Sequence, residues 1–122
     1  MNGRAAALLL AALPIAAQAG LVPVTWDAQG RWEADLPIAP KQFSEACTPL
    51  KQGERIRWRW QAAQPLKFNL HYHEGKAVRM PVRSEAASGE ATFEAPLDQD
   101  YCWMWSDATA PGRIGVTLER LP

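Results

Sequence analysis

The chain has 122 residues, 48% hydrophobic and 21% charged, with 13 basic and 13 acidic side chains that leave a formal net charge of zero. That length suits one domain, and the even charge balance argues against a surface built for nucleic acid or another polyanion. Two cysteines and six tryptophans are the distinctive part of the composition.

The first segment reads as a leader. Arg4 supplies a positive start, Ala5 to Ala17 an apolar run, and Ala17-Gln18-Ala19 a small-x-small cleavage pattern. A signal peptide is therefore expected over residues 1–19 and a single mature domain over 20–122. No cysteine follows the cleavage pattern, which removes the lipoprotein reading. No later stretch approaches the roughly 18 uninterrupted apolar residues of a membrane helix, so no span is expected after cleavage. The expected compartment is the periplasm first and the extracellular space second.

Leu21 to Trp26 is a short apolar run, Asp27-Ala28-Gln29-Gly30 has turn chemistry, and Arg31 to Leu36 alternates with Trp32, Ala34 and Leu36 on one side, which together suggest a hairpin. Pro37 and Pro40 should end it. Phe43 to Leu50 carries Cys47 along an extended segment that Pro49 assigns to a sheet edge. From Glu54 the alternation is clear, with Ile56, Trp58 and Trp60 on one face and Arg55, Arg57 and Arg59 on the other.

Leu66 to His73 alternates in the same way, with Leu66, Phe68, Leu70 and Tyr72 inward and Lys67, Asn69, His71 and His73 outward. Glu74-Gly75-Lys76 reads as a turn before a strand from Ala77 to Val82, Ser84 to Gly89 as a polar loop, and Glu90 to Ala95 as a strand. A three-residue turn sets Tyr72 against Val78, Leu70 against Met80 and Phe68 against Val82, which keeps the apolar face whole and makes Met80 a core residue. A two-residue turn would instead move Met80 to the histidine face.

Tyr101-Cys102-Trp103-Met104-Trp105 is apolar on both faces and should be a central strand, covered on both sides or open on one to a ligand or partner. Ile114, Val116 and Leu118 give a last strand. Seven or eight short strands, turns at regular intervals and no amphipathic helix predict an all-β, antiparallel, jelly-roll-like sandwich. Two cysteines of a small exported domain are expected to pair, so Cys47 and Cys102 should form a disulfide; closing a loop of roughly 55 residues stabilises by about 4 kcal/mol in the chain-entropy description.

The order of Cys47, Gly53 opening an alternating strand, Lys67 to Glu74 with its Gly75 turn, Gly89 and Phe93, then Tyr101-Cys102 and a final apolar strand resembles the GOLD domain, the lumenal β-sandwich of early-secretory-pathway cargo receptors. The resemblance spans Phe43 to Leu121 and implies the same pairing of the two cysteines. A coiled coil, membrane helix and cytosolic tail do not follow before Pro122, so a cargo-receptor role is not expected.

Chemistry is concentrated in Asn69-Leu70-His71-Tyr72-His73-Glu74. His71 and His73 share a strand face at a spacing from which two imidazoles converge on one ion, and with the softer donors Met80 and Met104 they form a candidate copper site. The competing expectation is a solvated pair of histidines, with Met80 and Met104 as packing residues. Tyr101, Trp103 and Trp105, with Arg57 of the arginine row, make up the candidate ligand or partner face. None of Ser44, Ser84, Ser88 and Ser106 lies in a nucleophile-elbow pattern, and no carboxylate pair stands out, so no enzymatic activity is expected. The sequence thus suggests a small exported binding module without a cofactor, for a protein, peptide or small ligand; the alternative is a copper-binding protein using His71 and His73.

Overall fold

The computed structural model describes residues 20–122, and the leader expected over 1–19 lies outside the described residues. Seven strands make up the fold: β1 (Leu21–Pro23), β2 (Arg31–Ile38), β3 (Phe43–Leu50), β4 (Arg55–Glu74), β5 (Ala77–Glu94), β6 (Gln99–Ser106) and β7 (Gly112–Leu121). No helix occurs among the described residues. The all-β expectation and the Cys47–Cys102 disulfide are both met.

The spine is β4, where period-two alternation carries straight through twenty residues. Ile56, Trp58, Trp60, Leu66, Phe68 and Leu70 are buried on its inner side, while Arg55, Arg57, Arg59 and Lys67 are exposed on the outer. Along one edge β4 pairs with β5. Along the other it pairs first with β7, from Arg55↔Leu121 to Ala62↔Ile114, and then with β6, from Lys67↔Ser106 to His71↔Cys102. Adding β2 to β7, and β3 and then β1 to β6, gives two wings that share the β4–β5 pair.

The wings close on each other because β4 turns a corner. Between Gln61↔Ser88 and Leu66↔Ala86, residues 62–65 of β4 stand against Ala87 alone, a bulge of the kind that bends a strand. Beyond it Phe68 meets Trp58 and Trp60 of the first half at ring-centroid distances of 4.9 and 5.6 Å, and Trp105 of β6 joins at 5.5 Å from Phe68 and 6.1 Å from Trp60. Tyr101 lies between Tyr72 and Phe93, and its hydroxyl donates to the Leu97 carbonyl at 2.6 Å. The indole N–H groups of Trp58, Trp60, Trp103 and Trp105 are buried without an acceptor, so aromatic area rather than polar pairing holds this core. Where the β6–β7 connection crosses the split between the wings, Gln64 Oε1 accepts from the Thr109 and Ala110 amides at 2.8 and 3.3 Å, and Gln64 Nε2 donates to the Ala110 carbonyl at 2.7 Å.

Several local expectations are corrected. The sheet is mixed, since β1 runs parallel to β3. The Asp27–Gly30 turn forms, with Asp27 Oδ1 accepting from the Gln29 and Arg31 amides at 2.9 Å, but its flanking strands go to different wings and make no hairpin. β2 continues through Pro37 to Ile38 because it is an edge strand whose outward N–H is not needed. Pro49 is tolerated in β3 because β1 covers only Glu45 to Cys47.

The two segments expected as separate strands on either side of residues 62–65 are one strand, β4, and the expected loop from Ser84 to Gly89 is part of β5. Gly89 is there for close approach: a Cβ would stand 2.8 Å from Trp60 Nε1. The β4–β5 loop is Gly75-Lys76 with Glu74 opposite Ala77, and Gly75 has the positive φ of 61° that a tight hairpin loop asks of its first position. Met80 is therefore not core and is exposed. A bulge sets Met80 and Pro81 against His71, after which Val82 returns opposite Leu70 and the apolar face is whole again. The pairing thus departs from a single unbroken register, since one extra residue restores the face locally.

Candidate functional site

On the outer face of the β1–β3–β6–β4 wing the pairing registers build one row across three strands. Cys47 of β3 stands opposite Cys102 of β6 with their Cα atoms 4.1 Å apart, and Cys102 stands opposite His71 of β4. Glu45 precedes Cys47 by two residues on the same face, and its Oε1 lies 3.3 Å from Cys47 Sγ and 3.5 Å from His71 Nε2. A disulfide sulfur has no hydrogen to give, so the first of these is a contact. The ligand-type atoms of Glu45, His71 and Cys102 all lie within 4.8 Å of one another.

His71 is buried here, against the expectation of an exposed imidazole. Its Nδ1 lies 2.7 Å from Asn69 Oδ1. An amide oxygen only accepts, so Nδ1 donates to it, and Nε2 is the ring atom that faces Glu45 Oε1. Burial lowers the His71 pKa below its usual value; Glu45 opposes that shift and His73 adds to it. The site thus brings His71 Nε2 and Glu45 Oε1 face to face beside a disulfide.

The other candidate residues are dispersed. His73 is exposed, with its ring edge-on to His71 at 5.4 Å. Met104 is half-buried in the neighbouring row, between Glu45 and Asn69. Met80, on the bulge of β5, borders a shallow outer groove with Lys67 and Asn69. Tyr101, Trp103 and Trp105 are fully buried and cannot be a partner face; the wing that closes over them is the other half of the same domain. Glu45 is not among the residues the sequence singles out, and Asn69 is so only as the start of the stretch that carries the two histidines. The signal for Glu45 was its place two residues before Cys47, on the face that the disulfide fixes.

The opposite wing carries the arginine row. On its outer face Arg57 lies between Glu119 of β7 and Thr92 of β5, and Arg59 between Thr117 and Glu90. Among the described residues Arg55, Arg57 and Arg59 form no salt bridge, whereas Arg31 engages Glu33 and Glu119, and Arg113 engages Asp35. Two shallow grooves flank the row, one over Gly115 beside Arg59 and Gln61, the other along Arg57, Arg59, Thr92 and Thr117.

No protein-family model matches the chain, and no curated relative matches its sequence. Solved structures do match the fold. The Aeromonas hydrophila PliG, a periplasmic lysozyme inhibitor of g-type lysozyme, superposes with a TM-score of 0.69 at 11% identity, over 83% of this chain and 96% of that one. The Salmonella Typhimurium PliG gives 0.63 at 10% identity, over 85% and 100%. The pre-peptidase C-terminal domain of a Bacillus anthracis collagenase gives 0.56 at 11% identity, over 84% and 95%. At these identities the likeness is one of fold, a small all-β domain.

Proposed function

We propose that this chain is an exported, non-enzymatic protein-binding module whose partner presents carboxylates to the outer face of the first half of β4. The observation that carries the reading is the row of Arg55, Arg57 and Arg59, exposed and, among the described residues, without salt bridges, while Glu119 beside Arg57 is held by Arg31. Guanidinium groups free of internal partners are suited to bidentate pairing with carboxylates of another protein. Two further features support export and a protein partner: the leader expected over 1–19 and the fold shared with two periplasmic inhibitors. The GOLD-like order of cysteines, glycines and strands fits the same class of module.

The inhibitors suggest a first partner to try. A lysozyme is a glycoside hydrolase, and such enzymes generally work through carboxylates set in a cleft, which is complementary to an arginine row. Titration of the purified protein into a g-type lysozyme at low salt should give a one-to-one complex that weakens as salt rises. Arg57→Ala should weaken it at least tenfold, as arginine anchors commonly do. Absence of association at low salt would remove the lysozyme reading, and association unaffected by Arg57→Ala together with Arg59→Ala would remove this face from it.

A further inference from the structure

We infer that reduction of the Cys47–Cys102 disulfide converts the outer corner of β3, β6 and β4 into a tetrahedral metal site of the zinc class, with Cys47 Sγ, Cys102 Sγ, His71 Nε2 and Glu45 Oε1 as its four ligands. This site is independent of the arginine face, which lies on the other wing, so either reading can fail alone.

Bonds of roughly 2.0–2.3 Å to nitrogen, oxygen and sulfur place the ligand atoms of a tetrahedral zinc ion roughly 3.3–3.8 Å from one another. Glu45 Oε1 already stands 3.5 Å from His71 Nε2 and 3.3 Å from Cys47 Sγ, and the Cys102 sulfur falls within the same 4.8 Å cluster. Three donors, Glu45, His71 and Cys102, are thus gathered from three adjacent strands, and Cys47 Sγ, bonded to Cys102 and beside Glu45, is the fourth that opening the S–S bond would free to join them. Only the S–S bond keeps the two sulfurs from serving as thiolates.

The shell around the donors points the same way. Metal-bound histidine commonly gives its other ring N–H to an oxygen acceptor that fixes the tautomer. Asn69 Oδ1 fills that place at 2.7 Å from Nδ1. The His71 and Glu45 side chains are only 6% and 13% exposed, so two donor groups face each other largely out of water. A divalent ion satisfies both. His73 and Met104 adjoin the cluster but are outside the set of four, which distinguishes this site from a copper site built on the two histidines.

The chemistry balances with a thiol or phosphine reductant. A dithiol partner gives two electrons and two protons to the S–S bond and leaves as its own disulfide. With a phosphine, the phosphorus is oxidised to phosphine oxide with oxygen from water, and the sulfurs take up two protons. Metal binding then expels both thiol protons to solvent. In the oxidised protein the donors are reduced to His71 and Glu45, so tight binding requires reduction.

The test is an anaerobic titration of the purified protein with Co(II), with and without phosphine reduction. Reduced protein should take up one Co(II) with the intense visible bands of a tetrahedral thiolate site, and Zn(II) should abolish them. The disulfide form should show none. His71→Ala and Glu45→Gln should each weaken Zn(II) binding at least tenfold in the reduced protein. If reduction unfolds the chain, Zn(II) should restore the native tryptophan fluorescence. Weak octahedral bands, unchanged affinity in both variants, or an unfolded reduced chain that Zn(II) does not rescue would each overturn the proposal.

Discussion

The two halves of β4 obey one rule inside and opposite rules outside. From Arg55 to Gln61 and from Leu66 to Tyr72 the inner positions are large and apolar, and rings from both halves meet in one core. The outer positions diverge. The first half shows three arginines to solvent, flanked by open grooves, while the second buries His71 under Glu45 and a disulfide. One strand thus has a face left for something else to cover and a face the protein covers itself. The difference is set by the neighbours: β7 brings Gly115, Thr117 and Glu119 to the first half, and β6 brings Cys102 and Met104 to the second.

The largest expected effect comes from the shared interior. Trp60→Ala leaves a cavity where both halves meet and should cost about 3–5 kcal/mol in urea unfolding. Reducing the disulfide in the presence of a chelator acts on the second half alone and should cost about 4 kcal/mol by the loop-closure argument. Gly89→Ala would drive a methyl into the buried Trp60 ring and should cost about 1–3 kcal/mol.

A smaller effect is expected from pH. His71 in the disulfide form has a pKa lowered by burial, with Glu45 opposing and His73 reinforcing. The unfolded chain therefore binds the proton more readily, and stability should fall as pH drops below about 6.5. A His71→Gln variant unfolded over the same pH range should show a shallower decline. The smallest effect should be that of Arg57→Ala on stability, within about 0.5 kcal/mol, since nothing internal depends on that guanidinium. A larger loss in that variant would mean that the open face is structural and would blur the contrast between the halves.

Much of this was legible along each strand and little of it between strands. Alternation from Ile56 to Tyr72 identified the inner residues of β4, and two cysteines in a small domain identified the disulfide. Partner choice was not written in the same way. Turn chemistry at Asp27–Gly30 suggested a hairpin, yet β1 and β2 bond to β3 and β7. The register of β4 against β5 was misjudged because a bulge at Met80-Pro81 restores the apolar alignment at the cost of one residue. The cluster at His71 was hidden for the same reason: Glu45 reaches it only because β6 lies between β3 and β4. Tyr101, Trp103 and Trp105 looked fit for a ligand because a face closed by the other wing has the same composition as one closed by a partner.

The nesting of the strands bears on the order in which the chain can assemble. β4 and β5 are adjacent in sequence and can zip up from Gly75 outward, but β2 has one partner, β7, which is the last strand to be delivered when a chain arrives N-terminus first. Until Gly112–Leu121 emerges, Leu36 and Ile38 have no β7 to pair against, and the first half of β4 has an open edge. Contacts of such long sequence separation slow folding and prolong the exposure of unpaired strands. A domain wired this way gains nothing from folding piecemeal during delivery, so a chaperone or translocation channel that holds it extended until the last strand arrives would match its architecture.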